Sequence, residues 1–260
     1  MAHQPKIELL QAEVDENDES FFRLQVDSLF IKYITVEPGI YSVEDMCFGP
    51  SLVSVLPTFP TGDWNDGRVT KDANGRSYFA SVNQTRFPGV QNTWHGTHVD
   101  YLELSVGRKL RTGIYEAKCT SFDNVIVAKF ARFPWEIQYL ENETTAYQWI
   151  SGHDIGPRFL GHLTENDRVI GFLMERVTNA RHAGPEDFET CAEVLSRLHG
   201  LGVRHGDTNR FNFLICDSKT IMIDFDTAQE CDDRSLLLGE LENLNACLQD
   251  QSRRGGGGLL

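Results

Sequence analysis

The sequence has no long apolar run and little basic charge. None of its 260 residues fall in an apolar stretch long enough for a transmembrane helix, and its start lacks the basic-then-apolar pattern of a signal peptide. Lys and Arg number 24 against 38 Asp and Glu, so the net charge is −14. This charge repels nucleic acid and anionic membranes, because both are polyanions. We therefore expect a cytoplasmic or nuclear protein without membrane contact, for which only a local basic patch would allow tRNA binding.

Metal-binding and repeat signatures are also scarce. The six cysteines are scattered without a C-x-x-C pair, which favours buried reduced thiols over disulfides or zinc ligands. His95 and His98 have the spacing of half a metal site, but without further ligands we interpret them as structural. There is no internal repeat, and the one low-complexity segment is the glycine tail at 255–258, predicted to be a flexible end. The remaining composition, 40% hydrophobic and 24% charged, is typical of a globular protein.

Two polar loops carry the strongest chemical signal. They are His205–Asn212 and Ile223–Asp226, and the apolar runs between them predict a short hairpin. Such a hairpin would bring Asp207, Asn212 and Asp224 together at one end of a small sheet. Two carboxylates and a carboxamide suit the orientation of a hydroxyl next to Mg²⁺ on a polyphosphate, because magnesium takes few protein oxygens besides phosphate oxygens.

The first third of the chain is the hardest to interpret. Three strand-like segments open it, namely Lys6–Val14, Phe21–Val26 and Leu29–Val36. Residues 56–96 are rich in Pro, Gly, Asn, Asp and aromatics, which predicts ordered loops with short strands. No motif in this region indicates a function.

From residue 99 onward the elements are clearer. Three strands of an antiparallel sheet are predicted at Val99–Leu104, Thr112–Cys119 and Val125–Phe130. Lys129 follows a Val-Ile-Val-Ala run, which would place its amine at the edge of a cleft, although a strand-end lysine that reaches water is the commoner case. Helices are predicted at 135–150, 185–201 and 234–248. The first of these carries Glu143 as the expected partner of Lys129, with Glu141 as the second choice; either acid could instead be an exposed helix residue.

The order of these features resembles the protein-kinase-like superfamily. The pattern H-x-D-x-x-x-x-N, a hairpin and then D-F-x looks like its catalytic and metal loops. The resemblance implies that Asp207 is the catalytic base, that Asn212 and Asp224 hold Mg²⁺, and that Lys129, paired with Glu143, contacts the phosphates of ATP. His205 would anchor the catalytic loop by hydrogen bonds and transfer no proton.

Further positions follow from the same resemblance. Gly113 fits the last glycine of the nucleotide loop, and the backbone of Glu175 and Val177 would meet the adenine at a hinge. Arg108 and Leu110 occupy the two earlier glycine positions, which departs from the family pattern. Arg108, Lys109 and Arg111 would then either contact phosphate through their side chains or form a solvated hairpin tip.

The H-G-D form of the catalytic loop is similar to that of aminoglycoside and choline kinases, of small atypical kinases such as that of the KEOPS tRNA-modification complex, and of a fungal kinase-like family. Little sequence follows Asp226 and it contains no A-P-E, which argues against an ordinary protein kinase. The resemblance implies an α+β, two-lobed protein-kinase-like fold with a β-rich N-lobe and a short helical C-lobe. We expect an N-terminal extension over 1–98 that packs on the N-lobe, the N-lobe over 99–177 and the C-lobe over 178–260.

The expected function is ATP- and Mg²⁺-dependent phosphoryl transfer. A small-molecule or other non-peptide acceptor is favoured over a protein. The alternative is a kinase fold without kinase activity, either a scaffold or a site adapted to another group transfer, such as tRNA-dependent aminoacyl transfer. A third possibility is an interaction module that uses the N-terminal residues.

Overall fold

The computed structural model describes residues 5–217, 219–250 and 252. The glycine tail, Arg253, Arg254 and Ser218 at the centre of the predicted hairpin turn lie outside this range. The described residues form two compact units, one within Met1–Phe87 and one within Pro88–Leu260. The boundary predicted at residue 98 falls inside the second unit, and the division at residue 177 stays a prediction.

The first unit is a five-stranded sheet with two short helices. Its elements are β1 Ile7–Glu13, β2 Ser20–Val26, β3 Phe30–Val36, α1 Val43–Cys47, α2 Gly49–Val55, β4 Asp66–Lys71 and β5 Ser77–Asn83. The strands lie in chain order, and all neighbours are antiparallel except the parallel pair β3 and β4. Phe22, Leu24, Ile34 and Leu52 are fully or almost fully buried in its core. The three predicted strands are confirmed, whereas the two helices were not anticipated.

The second unit combines a six-stranded sheet with three longer helices. Its elements are β6 His98–Asp100, β7 Ser105–Arg111, β8 Ile114–Lys118, β9 Ile126–Phe130, α3 Ile137–Trp149, β10 Phe159–Glu165, β11 Arg168–Glu175, β12 Arg181–His182, α4 Phe188–Gly200, β13 Val203–Arg204, β14 Phe213–Ile215, β15 Thr220–Met222, β16 Gln229–Glu230 and α5 Arg234–Gln249. The large sheet has the order β6-β10-β11-β9-β8-β7, and smaller sheets are β12-β14-β15 and β13-β16. The fold is therefore mixed α+β, as predicted.

Helical periodicity explains α4, and a capping residue explains where α5 begins. Cys191, Val194, Leu195 and Leu198 are buried at helical spacing on α4. The helix α5 begins after Asp233, whose carboxylate accepts the backbone N–H of Ser235 at 2.8 Å as an N-terminal cap. No helix in the described part of the chain is both long and apolar enough to span a bilayer.

One predicted strand is wrong. The segment Val99–Leu104 was expected to be antiparallel to its neighbours, but β6 ends at Asp100 and pairs in parallel with β10. The carboxylate of Asp100 accepts the backbone N–H of Leu102 at 2.8 Å and starts a 3-10 turn. This local capping bond competes with strand extension. The strand that pairs with β8 is β7, which was not among the predicted strands.

Candidate active site

Lys129 lies between two carboxylates that are distant in sequence. Its Nζ is 2.6 Å from Oε2 of Glu143 on α3 and 2.6 Å from Oδ1 of Asp224 after β15. The predicted contact between Lys129 and Glu143 is therefore present. Glu141, the second choice, instead accepts the backbone N–H groups of Gln91 and Asn92. The strand β9 positions Lys129, because Ile126, Val127, Ala128 and Phe130 are buried and Lys129 is the one partly exposed residue of this strand.

Burial and charge act in opposite directions on this cluster. Burial alone lowers the pKa of Lys129, but the carboxylates of Glu143 and Asp224 outweigh burial and raise it. Burial raises the pKa of Glu143 to about 7, and Lys129 opposes that effect. Burial also raises the pKa of Asp224, but Lys129 outweighs it, so that the net shift is downward. The arrangement keeps Lys129 positively charged beside an ionised Asp224.

These three residues line a cavity of about 410 Å³. Glu175 and Val177, the predicted hinge positions, line the same cavity, together with Met174. Its volume lies within the range of ligand pockets, ~300–1,000 Å³. Five of the eight predicted site residues therefore meet around one space.

Gly113, Asp207 and Asn212 are not among the described residues that line this cavity. Gly113 connects β7 to β8 with a φ of 72°, and an added Cβ would lie 2.9 Å from the carbonyl oxygen of Phe130. Both features require glycine at this turn. The fold alone therefore explains why residue 113 is a glycine, without any ligand.

A hydrogen-bond network joins the two polar loops. The Nδ2 of Asn209 donates to Oδ2 of Asp207 at 2.9 Å. The Nδ2 of Asn212 donates to the Asp207 carbonyl at 3.0 Å and to its Oδ2 at 3.3 Å. The carbonyl of Asn212 accepts the N–H of Ile223 at 3.0 Å. This last bond places Asn212 beside the residue that precedes Asp224, as the sequence predicted for the hairpin.

Asn212 and Asp224 fit a magnesium ion. Asn212 is fully buried, and its Oδ1 has no hydrogen-bond partner in the part of the chain that the structure describes. A buried carbonyl oxygen without a donor is costly unless a ligand satisfies it. Asp224, whose side chain is 29% exposed, adds a carboxylate. One oxygen from each of these two side chains suffices for Mg²⁺ that is also bound to phosphate. Across the described residues, no group of three or more His, Cys, Asp or Glu is arranged to hold a metal, and His95 and His98 belong to no such group.

His205 anchors the loop that carries Asp207 by hydrogen bonds, as predicted. Its Nδ1 accepts the backbone N–H of Asp207 at 3.3 Å, so Nε2 carries the proton and donates to the carbonyl of Ile223 at 3.2 Å. Burial lowers the pKa of His205. The ring thus links the backbone of Asp207 to that of Ile223, the residue before Asp224.

Glu240 is an important residue that the sequence analysis missed. Its carboxylate, on α5, accepts the backbone N–H of His205 at 3.2 Å and of Gly206 at 2.7 Å. The Nε2 of His199 lies 2.8 Å from the same carboxylate. Gly206 has a φ of 86°, and an added Cβ would lie 2.7 Å from the carbonyl oxygen of Thr227. The position of Glu240 on the buried face of α5, in line with Leu244 and Leu248, was the available signal.

The chain is similar to a known protein over a short segment. No family model matches the chain. A segment of 62 residues is 34% identical to a protein of Methanoculleus marisnigri described as a probable bifunctional tRNA threonylcarbamoyladenosine biosynthesis protein. The match covers 24% of this chain and 11% of that protein. The chain therefore spans about a tenth of that relative's length.

Proposed function

We propose that the unit within Pro88–Leu260 is a two-lobed protein-kinase-like fold that transfers a phosphoryl group from ATP with the help of Mg²⁺. The observation that carries this proposal is the double ion pair of Lys129. A lysine held between a helix carboxylate and the Asp of a D-F-x loop, 95 residues away, at the wall of a ligand-sized cavity is the arrangement that orients nucleotide phosphates in kinases.

Each residue has a definite task in this proposal. Lys129 binds phosphate, and Glu143 holds the lysine in place. Asn212 and Asp224 would hold Mg²⁺, which neutralises the charge that develops on the phosphoryl oxygens. The backbone of Glu175 and Val177 binds the adenine. Asp207 accepts the proton of the acceptor hydroxyl, and its hydrogen bonds from Asn209 and Asn212 fix the carboxylate for that step.

We propose a small-molecule or other non-peptide acceptor. The name of the partly similar Methanoculleus marisnigri protein concerns tRNA threonylcarbamoyladenosine biosynthesis, and tRNA is for that reason an acceptor to test. The charge of −14 disfavours tRNA unless the basic residues cluster.

A kinase fold without kinase activity is the second candidate. It is favoured by the hairpin of β7 and β8, where Arg108 and Leu110 replace glycines that would let the backbone approach phosphates closely. Such a protein would bind nucleotide without turnover or use the cavity for another group transfer.

Thermal unfolding with ATP and Mg²⁺ tests the proposal. A ligand that binds only the folded state raises the unfolding midpoint, with about 2.7 kcal/mol of stabilisation at a hundredfold excess over Kd. Transfer of labelled γ-phosphate to a metabolite pool or to tRNA is measured in parallel. A raised midpoint with transfer supports the phosphotransferase, and a raised midpoint without transfer supports the second candidate. An unchanged midpoint at millimolar ATP contradicts both nucleotide-binding proposals.

A further inference from the structure

Arg111 is a half-buried cation whose guanidinium has no hydrogen-bond or ion-pair partner among the described residues. It ends β7 and lines the 410 Å³ cavity together with Lys129 and Asp224. Its guanidinium makes no hydrogen bond or ion pair with any residue in the described ranges. Because a partly desolvated cation is unfavourable without an anion, the position indicates a negatively charged ligand.

The neighbouring arginines differ from Arg111 in this respect. The Nη2 atoms of Arg108 and Arg176 each lie 2.9 Å from Oε1 of Glu116. Both cations therefore share the one carboxylate of Glu116, although they also line the cavity. Arg111 differs from them because no carboxylate of the described residues lies within ion-pair distance of its guanidinium.

The effect of Arg111 on two other groups at the cavity shows where its charge acts. Arg111 is close enough to Asp224 to contribute to its lowered pKa, after the larger effects of burial and Lys129. Burial lowers the pKa of His182, which also lines the cavity, and Arg111 adds to that effect. The field of Arg111 therefore reaches the same part of the cavity as Asp224 and Lys129.

We infer that Arg111 binds the phosphates of the bound nucleotide, in place of the backbone N–H groups of a glycine-rich loop. This inference rests on the proposed function. Arg108 and Leu110 carry side chains where glycines would allow close backbone approach, so that the hairpin needs another donor. A guanidinium supplies two parallel N–H donors that match a phosphate group. The ligand class is then a nucleoside di- or triphosphate, and a nucleoside lacks this contact.

The test compares ATP with adenosine by titration calorimetry on the full chain. The variants are Arg111→Gln and, as a matched control on the same strand, Lys109→Gln, whose side chain is exposed and outside the cavity. We expect Arg111→Gln to weaken ATP binding about tenfold or more, the effect of losing charged hydrogen bonds, and to leave adenosine binding unchanged. Lys109→Gln should bind both ligands as the wild type does.

Unchanged adenosine affinity shows that Arg111→Gln is folded. Equal ATP affinity in wild type and Arg111→Gln overturns the role of Arg111 while the proposed function stands. An equal loss of ATP and adenosine affinity also overturns it, because the arginine would then act on the cavity as a whole. If the wild type binds neither ligand, the proposed function and this inference are both wrong.

Discussion

At the scale of single residues, the site separates the group that would accept a proton from the groups that would bind phosphate. Asp207 is held by neutral amides from Asn209 and Asn212. Asp224 is held by the ammonium of Lys129. A carboxylate that is paired with a cation is a weaker base than one held by amides, because the cation favours its ionised form. The proposed function uses this difference, with Asp207 as the proton acceptor and Asp224 as a ligand of the metal ion.

Replacing Asp207 by Ala should slow phosphoryl transfer by ~10²–10⁴-fold, the range of general acid–base catalysis. The Kd for ATP should change little, because Asp207 does not line the cavity. Single-turnover transfer and calorimetric titration measure the two quantities. Asp217→Ala, at an exposed residue after β14, is the control and should leave both unchanged. Equal transfer rates for Asp207→Ala and wild type would remove Asp207 from the mechanism.

His162 should make stability depend on pH. It is fully buried, and its Nε2 accepts the backbone N–H of His95 at 3.1 Å. Its Nδ1 has no hydrogen-bond partner within residues 5–217, 219–250 and 252. Burial, with smaller effects of His98 and His95, lowers its pKa from 6.5 to about 4. Below pH 6.5 the unfolded chain binds a proton that the folded chain does not, so the free energy of unfolding rises with pH in this range. As pH falls from 6.5 to 4, this group alone removes up to about 3 kcal/mol.

Urea unfolding between pH 4 and pH 7 measures this effect. The variant His162→Gln lacks the titrating ring and should lose less stability on acidification than the wild type. His153→Gln, at an exposed position, serves as control and should follow the wild type. Parallel pH profiles for His162→Gln and wild type would show that His162 titrates alike in both states.

At the scale of elements, local patterns predicted some features and not others. The helix α4 and the hairpin of β14 and β15 were predicted because their apolar residues follow one period without interruption. The short strand β6 was extended too far, because the capping bond of Asp100 is not visible in an apolar pattern. The contact of Lys129 with Asp224 spans 95 residues. Periodicity cannot reveal such a contact, and only the resemblance of the motifs implied that the two residues belong to one site.

The contact of α5 with the loop before Asp207 depends on one buried acid, Glu240. Glu240→Gln replaces one acceptor oxygen by an amide donor and removes the charge that binds the N–H groups of His205 and Gly206. Hydrogen bonds to charged groups contribute about 1.5–3 kcal/mol each. We expect the free energy of unfolding to fall by about 2–4 kcal/mol, together with slower phosphoryl transfer, because Asp207 directly follows these residues.

Denaturant unfolding and transfer assays check this expectation. Glu242→Gln lies on the exposed face of the same helix and should leave both quantities unchanged. Stability lost with the transfer rate intact would show that α5 supports the fold without positioning Asp207.

At the scale of the whole molecule, all eight predicted site residues belong to the unit within Pro88–Leu260. The unit within Met1–Phe87 has its own sheet and its own buried cluster around Phe22, Leu24 and Ile34. Its sequence predicted strands but no chemistry, because its polar residues follow no recognisable site pattern. Among the described residues, those that line the cavity and those that form the two ion pairs of Lys129 all belong to the unit within Pro88–Leu260.

A chain of residues 88–260 should therefore fold and bind ATP with Mg²⁺ within about threefold of the full-length Kd, a difference below about 0.7 kcal/mol. Circular dichroism and titration calorimetry measure folding and affinity. If the shorter chain is insoluble, cleavage of the full chain near residue 87 followed by the same titration gives the comparison. A folded shorter chain with lost affinity would mean that the first unit contributes to the site, and the interaction module considered for the N-terminal residues would then act on nucleotide binding.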